Sequence, residues 1–304
     1  MDVLTLGEPL IELNRQSDGR WLEGFGGDTS NVAVAAARQG AEAGVIASIG
    51  TDAFGDSLMA LWEREGVSTV CVSRRADAPT GLYFVRHGAA GHEFSYRRAG
   101  SAASLMRPQD LPADAIRGAK VLHLSGISQA ISADAADACF AAMAIAREAG
   151  VTVSYDTNYR ARLWPLERAR AVIHEAARHA DILLPGLDDA RVLSGLTDPR
   201  EILEHYARLG PKIIALTLGG DGAMVWRDGE VTTLPAHPTT VVDASGAGDC
   251  FDGVFLARWL ATRDVATAAT AANRAAALSV RGYGAIAPIP TAAEVDAALA
   301  EEAA

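Results

Sequence analysis

Hydrophobic positions along the chain alternate between short apolar runs and longer stretches with helical spacing. The apolar runs predict buried β-strands, at residues 3–6, 45–49, 121–124, 151–155, 182–184, 213–217 and 223–226. Between most of them lie alanine-rich helical stretches such as residues 133–150, and residues 26–40 combine a glycine turn with a helix ended by Gly40. This alternation predicts an α/β fold with a mainly parallel central sheet and helices on both faces.

Two stretches break the alternation, at residues 10–25 and 80–96. The second alternates polar and apolar residues on both sides of a glycine-rich turn, as a β-hairpin does. We expect the two stretches to pair as a small β-sheet that covers the functional site as a lid. The chain is then a single α/β domain, residues 1–304, with a lid formed by about residues 10–25 and 80–98.

The segment VVDASGAGDCFDGVFLARWL, residues 241–260, places small residues directly before an apolar helix. The end of a strand is predicted at residues 241–242, and a helix is predicted after Asp249. Between them, Gly246, Ala247 and Gly248 would leave the unpaired amides of the first helical turn open to an anion. The alternative is that Asp249 only caps the helix N-terminus or complements its charge.

The net charge limits the classes of partner. A formal charge of −11 argues against a nucleic-acid partner, which would require a basic stripe. No run of about 18 apolar residues occurs, and the N-terminus has no basic segment. We therefore expect no membrane partner, no signal peptide and a cytoplasmic location. Arg97, Arg98, Arg160 and Arg162 form two local basic clusters that suit a small anion.

Lysine and cysteine usage excludes further classes of site. The lysines, Lys120 and Lys212, lie in neither a Walker A loop nor the context of the protein-kinase lysine, so any use of ATP must follow another route. Cys71, Cys139 and Cys250 are far apart and have no His at ligand spacing. Neither a disulfide nor a structural zinc site is expected.

Two stretches resemble the signatures of the ribokinase-like (PfkB) carbohydrate kinase family. These are GGDTSNVAVAAARQG near the N-terminus and DASGAGDCFDGVFLA, in which Asp-Ala replaces the usual Asp-Thr of the second signature. The resemblance covers nearly the whole chain. It implies a ribokinase-like fold and an ATP-dependent sugar kinase that uses Mg²⁺, and it leaves a monovalent-cation requirement open.

Four stretches resemble the 2-keto-3-deoxygluconate kinases of this family more closely than its fructokinases. They are GGDTSN, GLYFVRHGAAGHEFSYRRAGSA, LHLSGIS and YDTNYRARLW. A sugar acid is therefore the expected substrate, with a fructokinase or another ketose kinase as the nearest alternative. From a different class, a non-catalytic sugar-acid-binding regulator would keep the fold. A Rossmann dehydrogenase is disfavoured, because no G-x-G-x-x-G follows the first strand.

The second signature assigns the catalytic step. Asp249 would be the base that deprotonates the attacking sugar hydroxyl, and Gly246, Ala247 and Gly248 would form the turn that receives the phosphoryl group. The positive end of the helix dipole is expected to keep Asp249 ionised.

The first signature and the lid would bind the sugar. Gly27, Asp28 and Asn31 come from the first signature, and the alternative is a glycine turn with Asp28 as an N-cap. A carboxylate favours the planar, two-pronged donor that arginine supplies, so one arginine of the 97/98 pair and Arg160 opposite would hold it. The alternative is that the arginines lie on a solvated face. The residues expected from the lid and its surroundings are Tyr83, Tyr96, Arg97, Arg98 and Arg160.

ATP is expected at the run TLGGDGA, where glycines permit close backbone approach to phosphates. The resemblance implies contacts from Thr217, Gly219, Gly220, Gly222 and Asn273. The alternatives are a plain hairpin turn for the run and an exposed helical position for the asparagine.

Metal ligands and assembly are less defined by the sequence. The metal-associated Asn-x-x-Glu motif of the family is present only as GLDD, residues 186–189, so the metal ligands stay unassigned. Because an exposed lid sheet has edges to cover, we expect a homodimer joined through the lid.

Overall fold

The computed structural model describes residues 1–16, 18–88 and 91–302. Its strands are β1 (Val3–Leu6), β2 (Leu10–Arg15), β3 (Trp21–Gly26), β4 (Ala43–Gly50), β5 (Val72–Arg75), β6 (Leu82–Gly88), β7 (Gly91–Arg97), β8 (Val121–Ser125), β9 (Thr152–Asp156), β10 (Ile182–Leu184), β11 (Ile213–Thr217), β12 (Ala223–Arg227) and β13 (Glu230–Leu234). Its α-helices are α1 (Asp28–Arg38), α2 (Ala53–Arg64), α3 (Ala113–Arg117), α4 (Gly126–Ala130), α5 (Ala133–Glu148), α6 (Leu166–His179), α7 (Leu187–Ser194), α8 (Pro199–Ala207), α9 (Ala247–Thr262), α10 (Val265–Ser279) and α11 (Ala292–Glu302). Within these described ranges, no helix is long and apolar enough to cross a membrane.

The main sheet has the strand order β13-β12-β11-β10-β9-β8-β1-β4-β5. Neighbouring strands from β5 to β11 pair in parallel, and β12 and β13 pair antiparallel with their neighbours. All residues of β4 and β8 are buried, as expected for strands covered on both faces. The predicted α/β fold with a mainly parallel sheet is confirmed.

Two hydrophobic clusters pack on the two faces of this sheet. Val3 and Val121 belong to a cluster with apolar residues of α1, α9 and α10. Leu4 and Leu122 belong to a second cluster with residues of α5 and α6. Because successive side chains of a strand point to opposite faces, this division places α1 and α9 together on one face.

The predicted small sheet is also confirmed, with the order β3-β2-β6-β7. The antiparallel pairs β2–β3 and β6–β7 are joined by parallel pairing of β2 with β6. Leu10, Tyr83 and Val85 form a small buried cluster in it. Parts of the predicted lid and of the C-terminus lie outside the described residues, namely 17, 89–90 and 303–304.

The strand predicted at residues 241–242 is not formed. Val241 and Val242 are 62% and 42% exposed, and the last strand of the sheet ends at Leu234. The amides of Val242 and Asp243 donate to the carbonyl of Val280, just after α10, instead of to a strand. A β-branched pair needs a neighbouring strand and a packed face to form a strand, and these residues have neither.

Candidate active site

A cleft of about 640 Å³ is lined by the lid sheet and by loops at the carboxyl ends of main-sheet strands. Glu8 follows β1, Ile127 follows β8 and Asn158 follows β9. Ligands of open α/β sheets bind at this edge. The cleft brings together most residues predicted for the sugar and the base, namely Gly27, Asp28, Asn31, Tyr83, Tyr96, Arg98, Arg160, Gly246 and Asp249.

The first turn of α9 brings Asp249 to the cleft. Gly246 is the N-cap at φ 73°, and a side chain there would meet the Ala285 Cβ at 2.8 Å, so the turn requires glycine. A side chain at Gly248 would meet no atom within 4 Å. The Ala247 amide donates to the Ala244 carbonyl at 3.3 Å, whereas the amides of Gly248 and Asp249 donate to no described residue. These two amides suit an anion.

Asn31 on α1 holds the Asp249 carboxylate. Its Nδ2 donates to Asp249 Oδ2 at 2.7 Å, and Asn31 is buried. Asp249 Oδ1 accepts from no residue in the described part of the chain. No side-chain cap bond is made at this helix terminus, so Asp249 does not cap α9, although it lies in the first turn, where its charge complements the helix dipole.

Burial is the main cause of a shift in the pKa of Asp249. Burial, the largest cause, and the neighbouring Asp28 raise the pKa of Asp249 to about 6, against the opposing effects of the Asn31 hydrogen bond and Arg160. The expected contribution of the helix N-terminus stays a prediction, and the structure adds that burial and Asp28 oppose the ionisation of Asp249. A carboxylate with this pKa is a better proton acceptor than an ordinary Asp and is ionised at neutral pH.

Asp28 begins α1 but does not cap it, so that alternative is also wrong. The N-cap is Gly27 at φ 101°, where a side chain would collide with the Glu8 carbonyl. Asp28 Oδ2 accepts from Ser125 Oγ and, at 3.1 Å, from Asn158 Nδ2. Asp28 Oδ1 is buried and has no partner among the described residues. Because buried polar oxygens are normally hydrogen-bonded, Oδ1 is a candidate contact for a ligand hydroxyl.

The lid contributes two stacked tyrosines to the cleft. Tyr83 and Tyr96 have ring centroids 5.6 Å apart. The Tyr83 hydroxyl donates to Glu12 Oε2 at 2.5 Å, and burial raises the pKa of Tyr83 above its usual value. Tyr96 is 39% exposed and also has the Arg98 guanidinium over its ring. The pair forms an aromatic wall of the cleft.

The arginines of the 97/98 pair lie in different places. Arg98 lines the cleft and pairs with Glu8. Arg97 is exposed and donates from Nη1 to the Tyr96 carbonyl at 3.1 Å, and it does not line the cleft. The structure therefore places Arg98 in the cleft, whereas Arg97 matches the alternative of a solvated face.

A second arginine cluster lies on the loop after β9. Arg160 donates to the Tyr159 carbonyl at 2.9 Å and lies 3.5 Å from Asp189 Oδ2, and its side chain is 52% exposed. Arg162 donates to the Phe94 carbonyl of the lid at 3.2 Å. Both line the cleft, so the cleft carries three arginines.

The residues predicted for ATP lie outside the lining of this cleft. The run TLGGDGA is the turn between the antiparallel strands β11 and β12, and side chains at Gly219 and Gly220 would meet no atom within 4 Å. Asn273 is 8% exposed and donates to the Pro235 carbonyl at 2.8 Å, so the alternative of an exposed position is wrong. The nucleotide role of Thr217, Gly219, Gly220, Gly222 and Asn273 stays a prediction.

Asp189, the second of the two acids in the GLDD sequence, connects α7 to the loop that carries Arg160. It lies in the first turn of α7, and its Oδ2 accepts from the Tyr159 amide at 2.9 Å. Burial raises its pKa. Within the described ranges, no three His, Cys, Asp or Glu residues are grouped so as to hold a metal ion by themselves.

Sequence reasoning missed several acids around the site. Glu8 and Glu12 are partners of a cleft arginine and a cleft tyrosine. Asp156 and Asp252 are buried, and burial and the neighbouring carboxyl groups, Asp249 among them, raise their pKa values well above the ordinary range. Each of these four acids is a charge beside or within an apolar run, which is the signal that the sequence carried for them.

Comparison with known proteins identifies the family of this chain. The pfkB family of carbohydrate kinases matches residues 2–292. A 2-dehydro-3-deoxygluconokinase of Thermoproteus tenax is 35% identical over 97% of this chain and 93% of its own. Probable fructokinase-4 of Arabidopsis thaliana is 31% identical over 98% of this chain and 96% of its own.

Among solved structures, a fructokinase from Xylella fastidiosa with bound ATP has a TM-score of 0.92 at 26% identity, covering 100% of this chain and 99% of that one. The predicted family is thereby confirmed. The chain belongs to the pfkB family of carbohydrate kinases.

Proposed function

We propose that this kinase transfers the γ-phosphoryl group of ATP to 2-keto-3-deoxygluconate, forming 2-keto-3-deoxy-6-phosphogluconate and ADP. The observation that carries the proposal is that Arg98 and Arg160 line the same cleft as Asp249. Guanidinium groups suit a substrate carboxylate, and Asp249 suits a hydroxyl that must lose its proton. The similarity to a 2-dehydro-3-deoxygluconokinase supports this choice of substrate.

Asp249 is the general base of the proposed reaction. The Asn31 bond holds Oδ2, and Oδ1 accepts the proton of the terminal hydroxyl. The oxygen of the sugar hydroxyl then bonds to the γ-phosphorus, while the bond from that phosphorus to the bridging oxygen of the leaving ADP breaks. The attacking and leaving oxygens lie in line on opposite sides of the phosphorus. The negative charge on the transferred group faces the amides of Gly248 and Asp249 at the positive end of α9.

ATP would contact the turn between β11 and β12. The space above Gly219 and Gly220 is open to a nucleotide, and Asn273 would act indirectly, by holding the Pro235 carbonyl. Bound Mg²⁺ would screen the phosphate charges. It commonly takes one or two carboxylates besides phosphate oxygens and water. Asp189 fits this need, since its Oδ1 accepts from no residue in the described part of the chain.

Fructokinase activity is the second candidate. Arg98 pairs with Glu8 and Arg160 lies near Asp189, so a neutral ketose would leave neither of these two arginines without an acidic partner. Similarity to a fructokinase over nearly the whole chain also favours it.

We further infer a homodimer joined through the lid. Trp21 and Leu22 on β3 are 40% and 60% exposed, and β3 is an edge strand of the small sheet. Apolar side chains on an open edge favour a partner of the same kind. The expected cytoplasmic location stays a prediction.

A panel of sugar acids and matched neutral sugars tests the proposed function. ADP release would be followed with each sugar, and the phosphorylated carbon would be located by NMR. We expect turnover with 2-keto-3-deoxygluconate and phosphorylation at its terminal hydroxyl. Faster turnover of fructose would favour the second candidate, and binding of sugar acids without ADP release would favour a regulator.

A further inference from the structure

Glu8 is a cleft carboxylate to which the proposed chemistry assigns no task. Its side chain is 0% exposed, and its partner Arg98 is 13% exposed. Both line the cleft beside the substrate residues. Because a buried charge needs a hydrogen-bonded partner, each of these groups restricts where the other can lie.

Glu8 uses one edge of the Arg98 guanidinium. The Nε of Arg98 donates to Glu8 Oε2 at 2.7 Å, and Nη2 donates to the same oxygen. Ser101 Oγ donates to the other oxygen, Oε1, at 3.3 Å. The guanidinium lies over the Tyr96 ring, 5.2 Å from its centroid. Nη1 has no acceptor in the described part of the chain, so it is the amino group left for a ligand.

We propose that Glu8 is a positioning residue that holds Arg98 by its Nε and Nη2 atoms, so that Nη1 is presented to the substrate carboxylate. The inference deepens the proposed function and rests on it. Glu8 itself does not touch the sugar; it acts through Arg98.

Another acid of the cleft shows why Arg98 needs this restraint. Burial raises the pKa of Glu8, Arg98 opposes this rise, and the neighbouring Asp28 carboxylate adds to it. Asp28 Oδ1 is buried and without a partner in the described residues. An arginine released from Glu8 would turn toward that oxygen, because a charge-assisted hydrogen bond is favourable there. It would then occupy the place proposed for the sugar.

The positioning role and a purely electrostatic role of Glu8 predict opposite changes in the KM for the sugar acid when Glu8 is removed. If Glu8 acted only through its negative charge, its removal would favour an anionic substrate and lower the KM for the sugar acid. If it positions Arg98, its removal raises that KM, because the carboxylate loses a donor.

The test uses Glu8→Gln, Arg98→Lys and the double variant, assayed with 2-keto-3-deoxygluconate and with ATP. We expect Glu8→Gln to raise the sugar-acid KM about tenfold, the size of one lost charge-assisted hydrogen bond, with the KM for ATP unchanged. In the Arg98→Lys background, Glu8→Gln should add little, since coupled residues are not additive. Glu65→Gln is the matched control, because Glu65 forms a similar two-pronged pair with Arg38 that does not line the cleft.

An unchanged or lowered sugar-acid KM in Glu8→Gln, additive effects in the double variant, or the same KM change in Glu65→Gln would overturn the positioning role. If Glu8→Gln does not fold, Glu8→Asp replaces it: the charge is kept but its reach is shortened, so positioning predicts a raised KM and electrostatics an unchanged one. Wild-type enzyme that turns over no sugar acid would overturn the proposed function as well, whereas wild-type turnover with an unaffected variant overturns the positioning role alone.

Discussion

Asn31 Nδ2 donates to Asp249 Oδ2 at 2.7 Å, which joins the first turns of α1 and α9. The two helices pack on the same face of the main sheet. This packing brings together the two signatures, through two residues that are 218 positions apart in the sequence. The bond fixes one carboxylate oxygen and opposes the rise in the Asp249 pKa that burial causes.

Replacing Asp249 by Asn removes the proposed base while keeping the side-chain shape. We expect kcat to fall by at least roughly 10²-fold, the lower range for a positioned acid or base. The melting temperature should be retained or raised, because an uncharged group is cheaper to bury. Steady-state kinetics and thermal unfolding measure both. A folded variant with wild-type kcat would remove Asp249 from the role of base.

Replacing Asn31 by Ala should move the acid limb of the pH–rate profile. The rate requires ionised Asp249 and falls as the pH drops through its pKa of about 6. The Asn31 bond lowers this pKa, so without it the pKa rises and activity is lost at a higher pH. The measurement is kcat/KM from about pH 5 to 9. An unshifted limb, or one shifted to lower pH, would contradict the assignment.

A valine at Gly248 should impair catalysis much more than stability. A Cβ at this position meets no atom within 4 Å beyond its chain neighbours and the backbone of its own helix, yet the side chain would project where the phosphoryl group must approach the α9 amides. We expect a large loss of kcat/KM for ATP with a melting temperature close to that of the wild type. Equal losses of activity and stability would instead indicate a structural turn.

His123 should make the stability of the fold depend on pH. It is fully buried, its Nδ1 lies 3.0 Å from Ser154 Oγ, and burial lowers its pKa to about 3. Below about pH 6.5 the unfolded chain binds a proton that folded His123 excludes. The stability that it contributes is therefore complete above that pH and is lost as the pH falls toward 3.

Urea unfolding of wild type and His123→Asn between about pH 4 and 8 checks this expectation. Below pH 6.5 the unfolding free energy of the variant should fall less steeply with pH than that of the wild type. The difference in slope should correspond to roughly one fewer proton taken up on unfolding. Parallel curves for the two proteins would contradict it.

The sequence predicted those features that lie within one contiguous segment. The turn at Gly246 and the helix after it could be recognised, because small residues and helical spacing occur together there. The same holds for the strands, whose apolar runs reflect burial on both faces. The open, partnerless amides of Gly248 and Asp249 follow from the same local geometry.

Features that depend on distant parts of the chain could not be predicted in this way. The pairing of Glu8 with Arg98 joins residues separated along the chain by helices α1 and α2 and by strands β2 to β7. The raised pKa of Asp249 arises from burial and from Asp28, neither of which a local pattern reveals. The strand predicted at residues 241–242 failed for a related reason, since its residues find no neighbouring strand.

The central claim, that arginines of the cleft bind a substrate carboxylate, is tested most directly by Arg160→Lys with Arg97→Lys as its control. The measurement is kcat/KM for 2-keto-3-deoxygluconate and for a neutral ketose that the enzyme accepts. Lysine cannot reproduce a two-pronged contact, and a charge-assisted hydrogen bond is worth about 1.5–3 kcal/mol. We predict a loss of about 10- to 150-fold on the sugar acid alone for Arg160→Lys, and no loss for Arg97→Lys, which lies outside the cleft lining. Equal losses on both sugars, or no loss on either, would contradict the claim and favour a fructokinase.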